Sequence, residues 1–207
     1  MPRPAGRRNA DFDVTRTTLL TRLADRLRQA DGATLSFREM ASAAEVSLPT
    51  LRHYFGDRAG VLRAVLQFNH LAGEAYLRQI AAAPLAPLRA SVRDYLDFLV
   101  DGLRAGVGRM LTVGLMNGMQ DAEVARACLS ELLEPTIRAL EVRLERHLSA
   151  GDLRPLDVRH GALALISPVV LAVLHQDEMD GRSYRPLDLV KFLDDLAEGF
   201  VRAHGAR

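Results

Sequence analysis

The chain has 207 residues, 48% of them hydrophobic, and a formal net charge of +1. That composition can fill a real core and excludes general disorder, and the length suits two small domains. The single cysteine, Cys128, excludes an intrachain disulfide and points to a reducing compartment.

Aromatic residues make up 5% and tryptophan is absent, so the core must come from Leu, Ala and Val, which favours packed helices over a sandwich. Residues 1–60 carry ten arginines against seven acids, a balance of +3, and the other 147 residues carry 17 basic against 19 acidic groups, a balance of −2. A cationic front on a mildly anionic body suits a polyanion-binding head. The opening "MPRPAGRRNADFDV" has no apolar run behind its arginines, so no signal peptide is expected. The longest apolar stretch, 162–174, is shorter than the roughly 20 residues of a membrane span and contains Ser167 and Pro168. A cytoplasmic protein without a membrane segment is expected.

From Thr15, apolar residues fall at Leu20, Leu23, Ala24 and Leu27, the spacing of one helical face, and Asp31-Gly32 stops that helix. Ser36 followed by Glu39 forms a capping box, and Phe37, Met40, Ala41 and Ala44 make one face of a short second helix over 37–44. Glu45-Val46 turns the chain. Ser47 caps a third helix, with Pro49 harmless in its first turn. Leu51 and Phe55 face inward at i, i+4, which leaves Thr50, Arg52, His53 and Tyr54 largely outward. Gly56-Asp57 ends this helix and caps a fourth, running to about residue 82. Beyond Pro84 and Pro87 the pattern predicts helices over 88–105, 109–119, 121–149 (bent at Pro135), 157–176 and 186–203. No segment alternates as a half-buried strand does, and no internal repeat is visible. The expected fold is all-α with about nine helices, divided into residues 1–60 and 61–207.

Two short helices joined by a tight turn and packed on a first helix make a helix-turn-helix. The major groove, about 12 Å wide, admits one helix held from behind by apolar residues and armed in front with donors. Thr50, Arg52, His53 and Tyr54 supply hydroxyl, guanidinium and imidazole groups for phosphates and base edges. Ser36 and Arg58 stand at helix N-termini, where exposed amides favour phosphate. Arg3, Arg7 and Arg8 form a basic arm that could reach a neighbouring groove. The bland alternative is a capped surface helix with solvated polar residues.

The stretch "FREMASAAEVSLPTLRHYFGDRAGVL" resembles the helix-turn-helix signature of the tetracycline-repressor (TetR) family of bacterial transcription regulators, and "LADRLRQADG" looks like the family's first helix. Met40-Ala41, Ala44, Val46-Ser47, Thr50-Leu51, Tyr54-Phe55 and Arg58 fall on the pattern without a gap, a match covering about residues 15–66. "LSAGDLRPLDVRHGALALISPVVLAVL" is similar to the late loop and dimerising helix of these proteins. The resemblance implies that Leu48, Pro49 and Arg52 lie nearest the bases, and that Thr50, Tyr54 and Arg58 hold phosphates. The sequence departs from the pattern in three ways. Glu45 replaces the usual turn glycine, which costs about 1–2 kcal/mol if the position needs positive φ. Arg52 stands where an aromatic residue is typical. Leu48 and Pro49 offer no side-chain hydrogen bonds, so reading there would be apolar.

One such head contacts few base pairs. A two-fold dimer on a palindrome, its reading helices about 34–36 Å apart, remedies this. Leu163, Ile166, Val170, Leu174, Leu189, Phe192, Leu196 and Phe200, on the two late helices, are the expected dimer contacts; closing a monomer core is the alternative. The middle helices could enclose an effector, with Met110, Met116, Met119 and Asn117 as adaptable lining and Tyr95 and Phe98 as aromatic wall. By resemblance, effector binding there would release DNA.

Other signals carry little. "HQDEMD" (175–180) has metal-ligand residue types without a recognised spacing, and Gly106-Val-Gly108 lacks a third glycine and a preceding strand. No cofactor, metal or catalytic residue is expected, and Cys128 reads as a small buried thiol. The reading is a ligand-responsive, dimeric regulator of double-stranded operator DNA, most often a repressor in this family. The competitor is a helical small-molecule-binding protein or enzyme on the same fold that has lost DNA binding.

Overall fold

A computed structural model describes the backbone of residues 5–206 and the side chains of residues 11–206. Arg3 lies outside the described residues, as do the side chains of Arg7 and Arg8. The described chain is helical throughout: α1 (Ala5–Leu27), α2 (Phe37–Ala43), α3 (Leu48–Phe55), α4 (Arg58–Ala82), α5 (Leu88–Gly102), α6 (Gly108–Gly118), α7 (Ala122–Cys128), α8 (Glu134–Ala150), α9 (Val158–Val173), α10 (Gly181–Tyr184) and α11 (Leu189–His204). Among the described residues no strand forms, only a lone bridge between Leu153 and Gly205. Counting α7 and α8 as one interrupted rod, and setting aside the single turn α10, leaves the expected nine helices.

The interruptions have local causes. Leu129–Leu133 is a widened turn with i→i+5 bonding that ends two residues before Pro135. Proline removes one amide and crowds the carbonyl four residues back, and widening relieves both. The irregularity near Pro135 thus takes the form of a widened turn just upstream of it. A second widened turn, Leu103–Val107, holds Gly106 at φ 119, a conformation open to glycine at little cost, which separates α5 from α6. A third, Leu174–Glu178, extends α9. The resulting apolar run, Val158–Glu178, has 21 residues and a mean hydropathy of 1.6, so by length and composition it could cross a membrane, contrary to the reading of 162–174 as too short. Its Ala162, Leu165, Val169 and Val173 are buried, and α9 packs on α5 and α8.

The chain divides into two compact units. One runs to Leu71 and takes in Arg109–Glu131; the other is Ala72–Gly108 with Leu132–Arg207. The boundary expected at residues 60/61 falls inside the first unit, which continues along α4 to Leu71 and takes in Arg109–Glu131. Gly114 and Gly118, one turn apart on α6, let α6 and α7 approach each other closely. A Cβ on Gly114 would come 2.5 Å from Cys128 Sγ, and one on Gly118 would come 2.9 Å from Ala125 Cα. The buried Cys128 thiol, pushed upward in pKa by desolvation, is the counterpart of that close approach.

In the second unit α8 supports the end of α4. Arg143 donates to Ile80 O (3.0 Å) and Arg146 to Ala81 O and Ala83 O (2.8 and 2.7 Å), satisfying terminal carbonyls that have no helical partner.

Candidate nucleic-acid interface

The predicted caps form in the head. Ser36 N donates to Glu39 Oε2 (2.7 Å) while Glu39 N donates to Ser36 Oγ (3.3 Å), fixing the start of α2. The Ser36 bonds hold the Glu39 carboxyl below its ordinary value. At α3, Thr50 N donates to Ser47 Oγ (3.2 Å), and the two side-chain hydroxyls lie 2.8 Å apart. Gly56, at φ 80, terminates the helix, and Gly60 N donates to Asp57 Oδ1 (2.7 Å) to begin α4.

The turn between α2 and α3 contains Glu45 at φ 56. The position does require left-handed backbone, and a non-glycine residue occupies it. Arg22 of α1 braces the strained turn, donating to Ala44 O (3.0 Å) and pairing with the Glu45 carboxylate (2.9 Å).

Behind α3, Leu51 is 0% and Phe55 9% exposed, so the back of the helix is anchored in the core. Arg52, His53 and Pro49 are exposed, and Leu48, Thr50 and Tyr54 are half-buried. The Arg52 guanidinium lies over the Phe37 ring at 5.9 Å, which orders a long side chain without neutralising it. Phe12 of α1 stacks on Tyr54 with ring centroids 4.6 Å apart and meets His53 edge-on at 6.0 Å. One turn further along α1, Arg16 covers the Phe55 ring at 5.7 Å. Phe12 and Arg16, at i, i+4, thus buttress three successive residues of α3. Phe12 was absent from the sequence-derived site; its only local signal is an aromatic residue on the polar side of α1.

Other predicted residues have different surroundings. Arg58, expected on a phosphate, turns its guanidinium into the head: Nε donates to Leu35 O (2.6 Å), Nη2 to Ala33 O (2.9 Å) and Nη1 to Asn117 Oδ1 (2.7 Å). Asn117, expected in an effector pocket, completes this clasp by donating to Ala33 O (3.1 Å) and Val113 O (2.8 Å). The expected pocket residues are divided between the units. Met110, Met116 and Asn117 belong to the head, with Met110 buried and Met116 half exposed. Tyr95 and Phe98 belong to the body, where Tyr95 is buried, its phenol pKa raised by desolvation and its hydroxyl donating to Thr136 O (2.5 Å). Of the expected dimer contacts, Ile166 and Phe200 are buried within the protomer; Leu163, Val170, Leu174, Leu189, Phe192 and Leu196 are half-buried.

The body also contains a serine–histidine–aspartate arrangement. His147, fully buried, lies 2.7 Å from both Ser91 Oγ and Asp152 Oδ2. Ser91 is buried, and its oxygen also accepts from Arg143 Nε (2.8 Å). The geometry resembles a nucleophile triad, but no substrate can approach the hydroxyl, and the network serves to satisfy buried polar groups.

No family model matches the sequence, and no curated protein matches it significantly. Solved structures do match. A TetR transcriptional regulator from Agrobacterium tumefaciens superposes with a TM-score of 0.67 at 19% identity, covering 93% of this chain and 95% of its own. GusR from Salmonella enterica gives 0.68 at 17%, covering 91% and 95%. The Bacillus subtilis transcriptional regulator FadR, in complex with stearoyl-CoA, gives 0.68 at 16%, covering 89% and 97%. Identities this low establish architecture: the chain has the all-α fold of TetR-family transcriptional regulators.

Proposed function

We propose that this protein is a cytoplasmic, ligand-responsive transcriptional regulator, a repressor that binds a palindromic double-stranded operator as a homodimer. The observation that carries the reading is α3 itself: a short capped helix, anchored by Leu51 and Phe55, that presents Arg52 and His53 outward beside Thr50 and Tyr54. Anchored backs and donor-bearing fronts are what major-groove reading needs. Pro49 and Leu48 would meet apolar features such as thymine methyls, and Arg52 a guanine or a phosphate. The half-buried Leu163, Val170 and Leu174 flank Leu171, which is 68% exposed, on α9, and Val190 of α11 is 64% exposed. These apolar groups would be covered in the dimer. The effector is a small molecule whose binding in the body favours release of DNA; a useful coupling is about 1–3 kcal/mol.

Selection of bound sequences from random duplex DNA by the purified protein tests this directly. The expected product is a palindrome with half-sites about one helical turn apart. Failure to enrich any sequence, with affinity no steeper in salt than one or two phosphate contacts give, would remove DNA binding from the account and leave the small-molecule-binding alternative.

A further inference from the structure

Between α1, α4 and α7 in the head lies an open groove of about 410 Å³, separate from the outward face of α3. Its apolar lining is limited to Gly60, Ala64 and Ala127, so no aromatic or large aliphatic side chain suits it to an apolar ligand. The polar lining is unequal in charge. Glu123 and Arg126, three residues apart on α7, pair with each other. Arg16 of α1 and Arg63 of α4 have no carboxylate partner among the described residues: Arg16 lies over the Phe55 ring, and Arg63 is half-buried. Against these two free cations stands Glu131, whose carboxylate accepts only from its neighbour Ser130 (3.1 Å).

Two guanidinium groups held in one groove repel each other unless an anion joins them, and each offers planar, paired donors matched to carboxylate or phosphate oxygens. Gln67 and Ser130 add neutral donors on the same lining. We propose that this groove is a binding site for a small dianion, a dicarboxylate or phosphate monoester, held by Arg16 and Arg63. The carboxylates of Glu123 and Glu131 on the α7 side disfavour an extended polyanion such as the DNA backbone, so the ligand is a compact one. Because the same Arg16 covers Phe55 at the back of α3, an anion that engages Arg16 acts on the support of the reading helix. The site itself does not depend on the DNA-binding reading.

Isothermal titration of the full-length protein with succinate and, separately, inorganic phosphate at low ionic strength tests the site. One saturable site is expected for at least one of them, and the better probe tells a dicarboxylate preference from a phosphate preference. Arg63→Ala should weaken it at least about tenfold, since it removes charge-assisted hydrogen bonds. Arg63→Lys keeps the charge and stem but loses the paired donors, so it should also weaken binding, and it provides the measurement if the alanine variant misfolds. Glu131→Gln should tighten binding by lifting a repulsion. No saturable binding of either anion, or equal affinity in Arg63→Lys and the parent, overturns the proposal. So does a parent protein that shows no small-anion site while Arg63→Ala loses duplex affinity, which would assign Arg63 to the DNA surface.

Discussion

Arg58 and Asn117, 59 residues apart in sequence, are joined by a 2.7 Å hydrogen bond from the guanidinium to the side-chain amide oxygen. Because Arg58 also donates to Ala33 O and Leu35 O, and Asn117 to Ala33 O, the pair fastens the start of α4 and the end of α6 to the segment before α2. Asn117→Ala leaves one arginine donor and the Ala33 carbonyl less satisfied. A loss of about 1–3 kcal/mol in urea unfolding is expected, the range for a part-buried charge-assisted hydrogen bond. An unchanged midpoint would make the clasp incidental.

The left-handed Glu45 makes a stabilising substitution available. Glu45→Gly relieves about 1–2 kcal/mol of backbone strain. It sacrifices an exposed ion pair with Arg22, worth about 0–1 kcal/mol, and adds chain entropy to the unfolded state. A net gain below about 1 kcal/mol is expected in the thermal midpoint. A clear loss would show that the Arg22 contact matters more than the strain.

Arg52 reports which part of DNA α3 meets. Arg52→Ala should weaken the selected operator by about 1–3 kcal/mol if the residue reads a guanine, with little change for unrelated duplexes. Uniform weakening across sequences, with a salt slope lower by about one, would place it on a phosphate. Fluorescence anisotropy over a range of salt separates the two outcomes.

The packing of α6 on α7 leaves no room at Gly114. Gly114→Ala puts a methyl 2.5 Å from Cys128 Sγ and 2.9 Å from its Cβ, so the helices must separate. A cost of about 1–3 kcal/mol is expected from overpacking, read by thermal melting. Pairing the change with Cys128→Ala, which vacates the contested space, should recover part of it.

Acid should loosen the start of α2. The Glu39 carboxyl is held below its ordinary value of 4.5, chiefly by its side-chain hydrogen bond with Ser36, so the folded form binds the proton less readily than the unfolded form. Its contribution is fully present above pH 4.5 and disappears as pH falls through the lowered folded-state value. Melting temperatures of the parent and Glu39→Gln should therefore differ at neutral pH and converge in acid. A gap that persists at low pH would point to a cause other than ionisation.

What the sequence determined by itself lies within about one helical turn of each residue. Ser36 with Glu39, Ser47 with Pro49, Gly56 with Asp57, and the Leu51–Phe55 stripe each carry their own stop, start or face signal, so the helix-turn-helix was legible from local chemistry. The need for positive φ at Glu45 was legible only through the family resemblance. Tertiary structure decided which faces meet. Phe12 finds Tyr54, Arg58 finds Asn117, and Gly114 lets α7 approach α6, while the unit boundary falls within α4. None of these partners announces itself by spacing, because a side chain on an amphipathic helix shows which way it points but not which of several similar apolar or polar surfaces it will meet.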